Sequence, residues 1–195
     1  MGTGHPKKSL KRSAAGRAVF LDRDGVINRV AIRGGRPYPP STLKDLRFLP
    51  RVRRAVKDLK RAGFKVIVVT NQPDVGKGLQ KRDVVESMHR LIAAELGTDA
   101  IKVCYHEEAD RCVCRKPKTG MLTEAAAEWK LDLGRSFLVG DRWRDIEAGK
   151  KAGCRTVLIE SSYKETEAKD PDAVASSLWE ASRLILSAWG KHDGT

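Results

Sequence analysis

The sequence predicts an α/β fold, with one parallel sheet packed between two layers of helices. Three features carry this expectation. Short apolar runs alternate with amphipathic stretches along the chain, several of these runs end in Asp, Thr or Asn, and Gly or Pro punctuates the joins. An apolar run without polar alternation is the mark of a strand covered on both faces. Strands that alternate with helices pair in parallel through right-handed crossovers. At 195 residues the chain suits one domain with a sizeable core and is too short for two ordinary ones. A hydrophobic content of 41% with 32% charged residues is that of a globular protein. No apolar run approaches a membrane span, and the N-terminal stretch lacks the apolar centre of a signal peptide, so a cytoplasmic protein without membrane contact is expected.

In chain order, residues 1–17 carry Lys7, Lys8, Lys11, Arg12 and Arg17 with no acidic partner among Gly and Ser, and read as a disordered basic tail. Residues 18–190 read as a single domain and residues 191–195 as a short C-terminal tail. Val19, Phe20 and Leu21 close a buried strand, which runs directly into Asp22, Asp24 and Gly25. Residues 29–41 form a long polar loop containing RGGRPYPP, with Tyr38 extended between prolines. Residues 50–62 have the period of a helix, with Val52, Ala55, Val56 and Leu59 on one face. KVIVVT (residues 65–70) is a second buried strand, ending in Thr70, Asn71 and Gln72 before a turn over 73–78.

A long amphipathic helix follows over 79–96, with His89, beside Met88, Leu91 and Ile92, read as a packed or surface side chain and not as a ligand. Residues 100–105 are a third strand, 120–130 a helix with Trp129 in the core, and 136–141 (SFLVGD) a fourth strand. Residues 144–152 are a short helix, 155–160 a fifth strand, and 172–189 a closing helix. There is no internal repeat, and no insertion is large enough to form a capping domain.

Ligands of open α/β sheets bind beyond the carboxyl ends of the strands. Those ends bring together Asp22 and Asp24, Thr70 and Asn71, and Asp141, with Arg115 and Lys116 arriving from the segment after the third strand. Carboxylates gathered at one point call for a divalent cation, and hard oxygen donors select Mg²⁺. Magnesium with a lysine offsets charge on a transferring phosphoryl group, a carboxylate can attack phosphorus, and a second carboxyl can serve the leaving oxygen. A net charge of +13 suits a phosphoester, and equally a nucleic-acid backbone.

Three of the four cysteines lie within eleven residues. Cys104, His106, Cys112 and Cys114 form a set suited to tetrahedral Zn²⁺ with no open position, which points to a structural metal that shapes the loop before Arg115 and Lys116. Cys154 reads as a small buried hydrophobe.

Four segments in this order, LDRDG (21–25), VVTNQ (68–72), RKP (115–117) and VGDRWRD (139–145), resemble the motifs of the haloacid dehalogenase (HAD) superfamily of phosphohydrolases. The resemblance implies a Rossmann-like three-layer sandwich with Asp22 as nucleophile and Asp24 as general acid/base. By the same resemblance Thr70 and Lys116 hold the phosphoryl oxygens, with Asn71 and Gln72 of the second motif beside them. Asp22, Asp141 and the backbone carbonyl of Asp24 would bind Mg²⁺, supported by Asp145.

The C-x-H…C-x-C-R-K-P segment with Gly120-Met121-Leu122 behind it is similar to the zinc-loop branch of D-glycero-D-manno-heptose 1,7-bisphosphate 7-phosphatases. In that branch Arg115 would contribute to substrate recognition and Arg142 would lie near metal and substrate. Histidinol-phosphate phosphatases have a similar zinc loop. The chain departs from the heptose pattern at Pro73-Asp74 and in the loop after Asn28. The expected activity is therefore Mg²⁺-dependent hydrolysis of a phosphate monoester, with a sugar bisphosphate as substrate of a monomeric enzyme. Histidinol phosphate and phosphorylated nucleic-acid ends are the alternative substrates, and a zinc-stabilised basic binding module is the non-enzymatic alternative.

Overall fold

The computed structural model describes residues 15–162 and 165–189. The expected C-terminal tail, residue 190 and most of the expected basic tail lie outside the described residues. The elements run β1 (Ala18–Leu21), β2 (Ala31–Arg33), β3 (Arg36–Tyr38), α1 (Val52–Arg61), β4 (Lys65–Asn71), α2 (Pro73–Gly76), α3 (Arg82–Leu96), β5 (Ala100–Cys104), α4 (Gly120–Trp129), β6 (Phe137–Gly140), α5 (Trp143–Ala152), β7 (Arg155–Ile159), β8 (Ala173–Ala175) and α6 (Leu178–Trp189). Six strands form one sheet in the order β5-β4-β1-β6-β7-β8, and every neighbouring pair is parallel.

The path runs from β1 outward through β4 to β5, then returns to the other side of β1 for β6, β7 and β8. Beside β1 the winding reverses, and a crevice opens beyond the strand ends at such a reversal. Alternation along β1 divides the core between the two faces of the sheet. Val19 and Leu21 join Val66 and Val68 beneath Ala55, Val56 and Leu59 of α1, Met88 and Ile92 of α3, and Ile185 of α6. Phe20 joins Ile67, Val69 and Leu138 beneath Met121, Leu122 and Ala125 of α4 and Ala148 of α5. The result is the three-layer sandwich expected from the sequence, without a cap domain among the described residues. Cys154 is buried as expected, and burial pushes its thiol up to about 12.

Four local expectations need correction. The loop over 29–41 contains an antiparallel hairpin, in which β2 pairs with β3. Its two-residue turn is Gly34-Gly35, both at positive φ (57° and 78°), the conformation that a tight hairpin turn requires and that glycine adopts without strain. The turn over 73–78 holds the short helix α2, and α3 begins only at Arg82. The stretch read as one closing helix from 172 contains β8 before α6 starts at Leu178. Asp172 pins that edge strand by accepting from the Thr156 backbone N–H (2.7 Å) and hydroxyl (2.8 Å). Trp129, expected in the core, is half-buried and packs at the margin of the second cluster.

Candidate active site

The backbone hydrogen bond from Asp22 N–H to the Val139 carbonyl (2.9 Å) extends the pairing of β1 with β6 by one residue and fixes where Asp22 emerges. Its Oδ1 accepts from the Arg23 backbone N–H at 2.8 Å and faces Lys116 Nζ at 3.0 Å. The same ammonium contacts Asp145 Oδ1 at 2.5 Å and donates to the Val69 carbonyl at 2.7 Å. Lys116 is 2% exposed, yet its pKa is raised, because Asp145 and Asp22 outweigh the burial that opposes its charge. Burial pushes Asp22 up to about 6; Lys116 pulls it down, while Asp145 and Asp24 add repulsion.

Asp145 is positioned twice. It lies in the first turn of α5, where its Oδ2 accepts from the Arg142 backbone N–H at 3.1 Å, as a helix-capping carboxylate does. It also packs against Gly140, where any Cβ would overlap the Asp145 side chain. Glycine at the end of β6 is therefore a condition for Asp145 to reach Lys116. Oxygens of Asp22, Asp141 and Asp145 can lie within 4.8 Å of one another, and all three residues are buried. Several buried carboxylates drawn together around one lysine form a hard-oxygen donor set that a divalent cation fits.

Asp24 points its carboxylate elsewhere. Arg23, fully buried, grips both of its oxygens (2.7 to 3.1 Å), Asn28 donates to Oδ1 and Gln72 to Oδ2 (both 2.8 Å). Burial alone would raise its pKa, but the Arg23 guanidinium and these hydrogen bonds hold it below the usual carboxylate range. Gln72 Nε2 also donates to Thr70 Oγ1 at 2.8 Å. Asn71 turns to the backbone of Lys116, exchanging two hydrogen bonds with it (3.0 and 3.1 Å). In this arrangement the Asn71 and Gln72 side chains orient Lys116, Asp24 and Thr70.

A cavity of about 170 Å³ is lined by these acids together with Thr70, Lys116 and three arginines, Arg115, Arg142 and Arg144. Val30, Pro37 and Pro39 from the hairpin segment line it too, as does Asp74. Arg115 is fixed by Glu108 (3.3 Å) and the His106 carbonyl (3.2 Å), and Arg142 by a two-pronged pair with Glu165 (2.6 and 2.5 Å). Every catalytic, substrate-binding and magnesium-site residue expected from the sequence is thus found around one crevice. Sequence reasoning missed Arg23, Arg144, Asp74 and the hairpin residues. The arginine between the two aspartates was the available signal for the first, since a cation next to two acids in sequence is placed to pair with one of them.

At the end of β5 the cysteine loop closes on itself. Cys104 Sγ lies 3.7 Å from Cys112 Sγ and 3.7 Å from His106 Nδ1, Cys112 is 3.5 Å from Cys114, and His106 Nδ1 is 3.3 Å from Cys114 Sγ. A tetrahedron built on Zn–S bonds of about 2.3 Å has edges of roughly 3.5 to 3.8 Å, so the four ligands fit that ion.

A family model for HAD-hydrolase-like proteins matches residues 113–181. The chain is 38% identical over 148 residues to D-glycero-beta-D-manno-heptose-1,7-bisphosphate 7-phosphatase of Rhodopseudomonas palustris, a match covering 70% of this chain and 79% of that protein. It is 34% identical to D-glycero-D-manno-heptose-1,7-bisphosphate 7-phosphatase of Thermosynechococcus vestitus, over 87% of this chain and 95% of the relative. Among solved structures, D,D-heptose 1,7-bisphosphate phosphatase from B. bronchiseptica, complexed with magnesium and phosphate, superposes with a TM-score of 0.74. That pair shares 27% identity across 89% of this chain and 99% of the other.

Proposed function

We propose that this chain, which belongs to the HAD-like phosphatases and among them to the family of the heptose-bisphosphate 7-phosphatases, removes the 7-phosphate of D-glycero-D-manno-heptose 1,7-bisphosphate. The observation that carries the reading is the single buried ammonium of Lys116 held between Asp22 and Asp145, beside Asp141. Such a site neutralises a phosphoryl group on one side and presents a carboxylate to it on the other.

Asp22 is the nucleophile. Its Oδ1 is engaged by the Arg23 N–H and Lys116, which orients the second oxygen for attack on phosphorus. As the Asp22–phosphorus bond forms, the ester P–O bond breaks, and the leaving alkoxide takes a proton from Asp24. Water then attacks the aspartyl phosphate and gives its proton to Asp24, the Asp22–phosphorus bond breaks, and inorganic phosphate is released. In the resting protein Asp24 is a carboxylate held by Arg23. A phosphate dianion beside it raises its affinity for the proton that the first step consumes.

Lys116 and Thr70 hold the phosphoryl oxygens, with Arg115 and Arg142 in the same cavity for the rest of the substrate. Asp22, Asp141 and the Asp24 backbone carbonyl, with Asp145 in support, would hold Mg²⁺, which would supply further charge neutralisation on the phosphoryl group. Cys104, His106, Cys112 and Cys114 would hold Zn²⁺ in a structural role, since four protein ligands would leave no open position. The reading places the enzyme in the cytoplasm, where thiols remain reduced and available to a metal.

Phosphate release with Mg²⁺, compared between heptose 1,7-bisphosphate and histidinol phosphate, tests the assignment. The expected result is a preference for the heptose ester of a hundredfold or more in kcat/KM, about 3 kcal/mol of discrimination. Equal rates would refute the substrate, and unchanged turnover by Asp22→Asn would refute the nucleophile.

A further inference from the structure

His89 is a buried imidazole that the reaction scheme above does not use. It lies on α3, 4% exposed, and its Nε2 is 3.2 Å from Nη1 of Arg23. An arginine has no lone pair to offer, so Nε2 must be the acceptor and the ring is neutral. The proton then resides on Nδ1, which faces Glu86 Oε2 at 3.9 Å. Burial, and after it the Arg23 charge, lowers the pKa of His89 to about 4, consistent with that neutral form.

Arg23 commits its other polar hydrogens to Asp24 and Gln72. Nε and Nη2 bind Asp24, and Nη2 also binds Gln72. His89 is the one hydrogen-bond partner of Nη1 among the described residues, and the one that ties the guanidinium to a helix across the sheet face. We infer that His89 is a positioning residue for the acid/base Asp24, acting through Arg23. The chain of contacts is α3, His89, Arg23, Asp24, with Gln72 bridging the last two. An arginine adjacent in sequence to the carboxylate it grips moves with it in the same loop unless other elements hold it. Gln72, just past β4, holds Nη2, and the His89 lone pair, presented from α3, fixes Nη1 as well.

This inference rests on Asp24 being the general acid, and the test separates the two. A poor alkoxide leaving group needs its proton, whereas p-nitrophenolate departs without one. The measurements are phosphate release from an alkyl ester (heptose 1,7-bisphosphate, or glycerol 3-phosphate if the heptose ester is not turned over) and first-turnover release of p-nitrophenolate from p-nitrophenyl phosphate. For His89→Leu the alkyl rate should fall about tenfold while the first aryl turnover stays within threefold. His89→Gln, whose amide oxygen can accept from Nη1, should recover most of the alkyl rate. Should His89→Leu not fold, His89→Asn, polar but too short to reach Nη1, should show the same split.

Equal losses on both esters, or no loss on either, would overturn the positioning role. Asp24→Asn is the control. If it shows the split and the His89 variants do not, this inference alone fails. If Asp24→Asn slows both esters equally, the acid assignment fails and the inference with it.

Discussion

At Lys116 one ammonium serves three acceptors, the Asp22 and Asp145 carboxylates and the Val69 carbonyl. Replacing it by methionine keeps the length of the side chain and removes the charge, leaving two buried acids in mutual repulsion. Breaking a buried pair in this way costs about 3 to 5 kcal/mol. A divalent cation would restore part of the lost neutralisation. Lys116→Met should therefore lose more stability in chelator than in Mg²⁺, as read by urea unfolding, and its kcat should fall at least about a hundredfold under both Mg²⁺ and Mn²⁺. Equal stability losses with and without the cation would separate Lys116 from the metal site. Asp22, Asp24, Thr70 and Asp141 were legible in the sequence because they follow apolar runs that a parallel sheet sends to one edge, and Lys116 and Asp145 because RKP and VGDRWRD stand in order with the other motifs. The work of Asn71 and Gln72 was not legible. Their side chains turn to Lys116 and to Asp24 through long-range hydrogen bonds that spacing along the chain does not encode.

Among the elements, the cysteine loop between β5 and α4 carries the four side chains proposed to hold zinc. It carries Arg115 and Lys116 at its far end, where Asn71 of β4 holds the Lys116 backbone and Lys118, in the same loop, donates to the Cys112 carbonyl. Metal binding energy in such a loop is folding energy for the loop. Cys112→Ser should lower bound zinc from one per chain, lower the melting temperature and reduce kcat together, with metal analysis, calorimetry and kinetics as the three readouts. Full zinc content in the variant would remove Cys112 from the ligand set. The long helices and buried strands were readable from their periods, as in α1 with Val52, Ala55, Val56 and Leu59 inward. The hairpin was concealed by its prolines and polarity, although Gly34-Gly35 between two short runs was the signal. The edge strand β8 was concealed for a different reason. Three residues are too few to show a period, and its place is set by Asp172 gripping Thr156 from a neighbouring strand.

For the molecule as a whole, a net charge of +13 and three arginines lining the catalytic cavity create a field that draws anions toward it. Raising sodium chloride from about 0.05 to 0.5 M shortens the screening length severalfold. The KM for a bisphosphate should rise several-fold across that range with kcat nearly unchanged, and a KM indifferent to salt would show that the field plays no part in capture. The same global view applies to how the crevice comes into being. β1 pairs on one side with β4 and on the other with β6, which lies beyond the hairpin, α3, the cysteine loop and α4 in the chain. Closing contacts of such long sequence separation is slow, because the entropy of the intervening loop is lost before the pairing compensates for it. A nascent chain that has made β1 already carries both leading aspartates, but neither Asp141 nor Asp145 stands beside them until β6 docks. Enzymatic activity is therefore a late signal in refolding. It returns when β6 pairs with β1, after most of the helical signal has been regained.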